Sequence, residues 1–168
     1  MKKKNKIKDG INVRGFFRLR IGEPDISGKI VKCVGDTGWI ENTVTNLGKD
    51  QYLAQSLAGM AGSKHITYAA IGSGTAPGAA DTTLDGELVD ASNCRCAVSP
   101  TTVNQSGTVQ FAFTLNSNII TASKAAISNV GLFNTSAVTV GTLFAGNTFS
   151  SSALQTDQVI NGSYQIQF

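Results

Sequence analysis

Charge is scarce in this 168-residue chain, and so are the side chains on which most enzyme chemistry rests. Only 15% of residues are Asp, Glu, Lys or Arg. The surface must therefore be largely uncharged and polar, and 15 serines, 17 threonines and 12 asparagines are there to supply it. His65 is the sole imidazole, so a catalytic base of the usual kind has one candidate, and it stands at an expected strand start with no Gly-x-Ser-x-Gly elbow anywhere in the chain. Three cysteines, Cys33, Cys94 and Cys96, are an odd number and set no disulfide framework. Cys94 and Cys96 would share one strand face, too close in sequence for a relaxed bridge. With a single histidine beside them they lack the ligands for a zinc site, and buried free thiols are the expectation. Long apolar runs are missing as well. Nothing approaches the ~18 residues of a membrane helix, and Asp9-Gly10 follows the lysines where a signal peptide would have its apolar core. Helical membrane insertion and Sec export are both disfavoured.

What charge there is lies unevenly. Residues 1–20 hold Lys2, Lys3, Lys4, Lys6, Lys8, Arg14, Arg18 and Arg20 against Asp9 alone, while residues 21–168 hold six basic and ten acidic side chains. A basic arm thus precedes a mildly acidic body. Such an arm suits phosphates, lipid headgroups or an acidic protein surface, with a merely solubilising tail as the plain alternative. Few aromatics interleave with its lysines, which argues against specific single-strand nucleic-acid recognition.

Periodicity makes the body β. Ile11, Val13, Gly15, Phe17, Leu19 and Ile21 alternate with Asn12, Arg14, Phe16, Arg18 and Arg20, the pattern of a half-buried strand whose outer face is basic apart from Phe16. A turn at Glu23–Gly28 returns the chain as a second strand over 29–34, and 39–44 reads as a third. Further strands are expected over 66–71, 87–98, 108–115, 127–133, 142–149 and 159–168. Val109, Phe111, Phe113 and Leu115 should face inward on one of them, and Ile160, Tyr164, Ile166 and Phe168 on the last. One amphipathic helix is expected near 46–61, with Leu53, Leu57, Met60 and Ala61 turned to the sheets and Gly62 as its stop. Many short strands, short connections and one helix specify a mainly β fold, an antiparallel two-sheet sandwich or jelly roll. Residues 1–10 form the arm and 11–168 a single domain.

Two motifs invite chemistry. Gly72-Ser73-Gly74-Thr75-Ala76-Pro77-Gly78 is glycine-rich, but no Gly-Lys-Ser/Thr follows and no helix opens after it, so a structural turn is the better reading than a phosphate cradle. Asp81, Asp85, Glu87 and Asp90 are the one cluster of carboxylates. Their spacing matches no calcium loop, and they read as solvated loop acids. The terminal strand ending on Phe168 is of a kind seen in outer-membrane barrels, yet aromatics make up only 7% of the chain, too few for girdles.

Two stretches carry a likeness. The first is Tyr68-Ala69-Ala70-Ile71-Gly72-Ser73-Gly74-Thr75-Ala76-Pro77 with Asp81-Thr82-Thr83-Leu84 and Glu87-Leu88. The second is Val130-Gly131-Leu132-Phe133 with Gly141-Thr142-Leu143-Phe144-Ala145 and a closing strand to Phe168. Over about residues 65–168 the chain resembles small virion structural proteins of tailed bacteriophages, of the tail, fibre-accessory or capsid-decoration type. The resemblance implies a non-enzymatic component of the virion, assembled in the host cytoplasm. Its implied partners are copies of itself and other virion proteins, such as the major capsid or tail proteins. It brings no catalytic or metal-ligating residue, no cofactor, no small-molecule substrate and no membrane. Contact residues would then be the arm (Lys2, Lys3, Lys4, Lys6, Lys8) and the strand face Arg14, Phe16, Arg18 and Arg20, since arginine and aromatics carry much of interface energy. The alternative is a receptor- or glycan-binding module using the loops 73–86 and 99–107.

Overall fold

A computed structural model describes residues 12–88, 95–103, 106–116, 124–138 and 140–168. The arm, Ile11 and Cys94 lie outside them. Ten strands are present among the described residues: β1 (Arg14–Pro24), β2 (Ile30–Asp36), β3 (Ile40–Val44), β4 (Tyr68–Gly72), β5 (Cys96–Ala97), β6 (Ser99–Val103), β7 (Thr108–Leu115), β8 (Lys124–Phe133), β9 (Leu143–Leu154) and β10 (Val159–Gln167). All pairings are antiparallel, so the mainly β, antiparallel fold class holds.

The strands do not separate into two independent sheets. They follow one hydrogen-bonded path, β5-β4-β8-β9-β3-β1-β10-β7-β6, with β2 on β1 beside β3. Two local features produce this. β3 pairs with β1 through Gly15–Phe17 and with β9 through Ala145 and Gly146, which joins the halves on one side. On the other, β5 runs into β6 across Val98 alone, so the two ends of the path are neighbours in the chain. The sheet is in consequence nearly closed, like a barrel. Closure leaves fewer open edges for unwanted pairing.

The interior is built by the expected alternation. Phe17, Leu19 and Ile21 of β1, Phe111, Phe113 and Leu115 of β7, and Ile160, Tyr164 and Ile166 of β10 meet Ile127, Val130, Leu132, Phe144, Ala145, Phe149 and Leu154 from β8 and β9. Phe17 tilts against Phe149 and Phe144 sets its edge to Tyr164, each pair with ring centroids 6.4 Å apart. Phe168 departs from expectation. It lies past the last pair of β10 with Gln167 and is half exposed. The β1–β2 turn is held by Asp25, whose carboxylate accepts from the Ser27 and Lys29 amides, and Gly28 supplies the positive φ (82°) the turn needs.

Three further expectations are corrected. The helix is shorter and turned: a π-helical segment, Gly48–Ala54, passes into a short α-helical turn, Gln55–Leu57. Its buried positions are Gly48 and Tyr52, while Leu57 and Met60 are exposed. The reason is a close approach. A Cβ on residue 48 would overlap the Phe144 carbonyl oxygen, so only glycine lets the segment sit there. Tyr52 then packs on Phe144 at 5.2 Å and donates its hydroxyl proton to the Thr142 carbonyl. Second, 99–103 is a strand, not a loop, paired with β7 in full register. Third, the expected strand over 87–98 reduces among the described residues to β5 and a single bridge, Glu87 to Gly72.

The outer face of β4, β8 and β9 is covered by the glycine-rich segment. Ala70, Leu84, Phe133 and Leu143 form a second small core beneath it. The segment is strapped down by Asn46 N–H to Ala79 O (2.7 Å) and Leu143 N–H to Thr82 O (2.9 Å). Its structural reading is supported by this packing.

Candidate interaction face

β1 lies second among the five neighbouring strands β3, β1, β10, β7 and β6, and its even-numbered side chains point outward. The registers extend that row across the face. Phe16 lies opposite Gln165 and Glu41, Arg18 opposite Ser163, and Arg20 opposite Asn161 and Asp36. Gln110, Ala112 and Thr114 of β7 continue the rows. Gln165 donates to Gln110 Oε1 and Thr114 to Asn161 Oδ1, both at 3.0 Å, so these half-buried amides are fixed.

The arginines that the alternation places here are not bare charges. Arg14 donates through Nε and Nη2 to Glu41 at 2.8 and 3.0 Å and lies 5.0 Å from the centre of the Phe16 ring. Arg18 makes the same two-pronged contact with Asp36 at 2.9 and 2.6 Å, and Arg20 approaches Asp36 at 3.7 Å. The Arg18 hydrogen bonds pull the Asp36 carboxyl down to about 2, and those from Arg14 lower Glu41. All three guanidinium groups keep 40–47% of their side-chain surface exposed. Exposed pairs of this kind add little to stability. Their effect is positional: long side chains are held in one conformation on a regular lattice. That lowers the ordering cost of binding a partner. The five lysines named with this face (Lys2, Lys3, Lys4, Lys6 and Lys8) lie outside the described residues.

Several of the remaining reactive groups help to hold the fold. Glu87, expected as a solvated loop acid, is instead buried and paired with Arg95. Asp85 accepts from the Thr75 amide (2.9 Å) and hydroxyl (3.0 Å), which lowers its carboxyl. Asp81 accepts from the Gly78 amide, and Asp90 lies outside the described residues. Cys96 is buried and its thiol is pushed up to about 12 by desolvation, whereas Cys33 is exposed, against the expectation that the thiols are interior. His65 is exposed beside the helical segment. Among the described residues no group of three or more His, Cys, Asp or Glu is arranged to hold a metal ion, and no helix is long and apolar enough to cross a membrane.

Sequence reasoning missed the Arg95 site. Arg95 stands between Cys94 and Cys96 in what reads as an ordinary strand, and nothing in the pattern distinguishes an inward arginine from an outward one. Its partners come from Glu87 and from the carbonyls of residues 135, 138 and 140, far away in the chain. The chain matches no protein-family model, no curated protein and no solved structure.

Proposed function

We propose that this chain is a non-enzymatic structural component of a bacteriophage virion that assembles with copies of itself and docks on the particle, as a capsid decoration or cement protein or as part of the tail or its fibres. The observation that carries the reading is the outer face of β1. Arg14, Arg18 and Arg20 are pre-positioned by Glu41 and Asp36 around Phe16, and arginine and aromatic side chains are the residues enriched in protein interfaces. The likeness of residues 65–168 to phage virion proteins supports the same reading, and the arm Lys2–Lys8 adds charge for an acidic neighbour such as a major capsid or tail protein. The sandwich or jelly-roll description belongs to this proposal too: the β6-β7-β10-β1 and β5-β4-β8-β9 halves face one another across the core, with β3 as their hinge.

A receptor- or glycan-binding module is the second reading. It is favoured by an open groove of about 850 Å3 bordered by Ser99, Thr114, Asn161 and Ser163, whose hydroxyl and amide groups suit sugar hydroxyls. Quantitative mass spectrometry of purified particles tests the first reading. A copy number near that of the major capsid protein means a decoration protein, and a small fraction of it means a tail or vertex position. Absence from particles overturns the proposal and leaves glycan-array binding as the next measurement. In particles, Arg14→Glu with Arg18→Glu should abolish incorporation while leaving the fold intact.

A further inference from the structure

The chain enters β9 through a peptide bond that four side chains surround. Gly141 turns at φ 102° and is exposed, and the next residue, Thr142, is buried with 5% of its surface exposed. The Lys64 amine donates to Thr142 Oγ1. Of the serines and threonines that follow a glycine, only Thr142 has its hydroxyl against a lysine amine among the described residues. Lys64 is placed there by the turn after the helical segment, where its backbone amide donates to the Gln51 carbonyl at 2.9 Å. It makes no ion pair among the described residues. The main chain of Thr142 is clamped as well. Its amide donates to Asn134 Oδ1 at 2.8 Å, and its carbonyl accepts from the Tyr52 hydroxyl. Arg95 completes the set, with Nη1 3.4 Å from the point where a Cβ on residue 141 would lie.

We propose that Gly141-Thr142 is a self-cleavage site, with Thr142 Oγ1 as the nucleophile and Lys64 as the base. A hydroxyl in hydrogen-bond contact with a base is the arrangement of an activated nucleophile. Here the carbonyl to be attacked is the preceding one in the chain, so attack closes a small ring and needs no bound substrate. Lys64, as the neutral amine, takes the hydroxyl proton while Oγ1 bonds to the Gly141 carbonyl carbon. Negative charge on the carbonyl oxygen then forms beside the fixed positive charge of Arg95. The C–N bond breaks as Lys64 returns the proton to the Thr142 nitrogen, which leaves an ester between Gly141 and Thr142 and a free amine. Water, which reaches exposed Gly141, hydrolyses the ester to a Gly141 carboxylate and the Thr142 hydroxyl. Glycine suits the position before the cut, since a Cβ there would overlap Thr135 and crowd the carbonyl under attack. The two pieces stay together, because β9 remains paired with β8 and β3, and β10 with β1 and β7. The event occurs once per chain, on its own backbone, and does not depend on the virion reading.

The test is intact-mass spectrometry of the purified full-length protein, denatured after incubation at pH 8. Pieces 1–141 and 142–168 should accumulate over days, with masses that sum to the chain plus one water, and the smaller piece should begin Thr142-Leu143-Phe144. Thr142→Ser should still cut. Thr142→Val keeps the shape, loses the nucleophile and should stay whole. Lys64→Arg keeps a donor and a positive charge for Oγ1 but supplies no base, and it should slow the cut about a hundredfold or more with an unchanged thermal midpoint. A wild-type chain that remains whole overturns the proposal, and so does a Thr142→Val protein cut at the same bond. Lys64→Arg cutting at the wild-type rate overturns it too, because the proton transfer is then not made by Lys64. A whole chain found in particles would sink self-cleavage and leave the virion reading standing.

Discussion

Arg95 and Glu87 form a two-pronged ion pair, Nε to Oε1 at 2.7 Å and Nη2 to Oε2 at 2.9 Å, with only 1% and 8% of their side chains exposed. The other three guanidinium protons go to the carbonyls of Thr135, Val138 and Val140 at 3.0–3.1 Å, and the group lies 3.6 Å from the centre of the Phe133 ring. All five donors are thereby satisfied, and one side chain ties residues 87, 133, 135, 138 and 140 together. Removing one partner strands a buried charge. Glu87→Leu or Arg95→Met alone should therefore cost about 3–5 kcal/mol, and the Glu87→Leu, Arg95→Met double variant clearly less than the sum. Urea unfolding of the four proteins measures this, and additive losses would contradict the coupling.

Asn129 should prove the main pin of the glycine-rich strap. Fully buried on β8, it donates to the carbonyls of Thr75 (3.1 Å) and Asp85 (2.8 Å), and Ser128 adds a bond to Gly74. Asn129→Ala leaves those carbonyls without their donor and should cost about 1–3 kcal/mol. Its readout is local: limited proteolysis should cut within 73–86 in the variant before any other site, and a wild-type cleavage pattern would contradict the role.

The Arg18–Asp36 pair predicts a pH window. Because Asp36 titrates at about 2 in the folded protein, below its ordinary 3.8, its contribution to stability is present above pH ~4 and is lost as pH falls toward 2. Asp36→Asn has no such group. The thermal midpoints of wild type and Asp36→Asn should differ most at pH 5 and converge by pH 2, and a gap that widens on acidification would reverse the assignment.

Thiol labelling separates the two described cysteines. In a Cys94→Ser background, native protein should react with one equivalent of thiol reagent, at exposed Cys33. Cys96 should react only on unfolding, since burial both covers its sulfur and disfavours its thiolate. Two fast equivalents under native conditions would refute the burial of Cys96.

Much of the fold was legible because alternation is a local record of which strand face is buried. Arg14–Ile21, Thr108–Leu115 and Ile160–Ile166 each state their inward side within a few residues, and the structure places those sides as read. The candidate face was legible for the same reason: outward arginines on β1 follow from inward Phe17, Leu19 and Ile21. Their pairing was not, because Glu41 and Asp36 reach β1 only through the register of two other strands. β6 was invisible, since Ser99–Val103 is exposed on both faces and carries no alternation to read.

By itself, then, the sequence determined a mainly β, antiparallel body with a basic outer strand face, a helical segment before β4 and a glycine-rich segment that lacks the Gly-Lys-Ser/Thr ending of a phosphate-binding loop. Each of these follows from residue types within one turn or one strand of each other. Only the tertiary structure decided that the strands join into one nearly closed path, that Gly48 and Tyr52 rather than Leu57 and Met60 face the core, and that Glu87 is a buried partner of Arg95. Those outcomes turn on contacts between distant segments, such as the Phe144 carbonyl over Gly48 or the 135–140 carbonyls around Arg95. Such contacts are fixed by register and packing between elements, which no local pattern encodes.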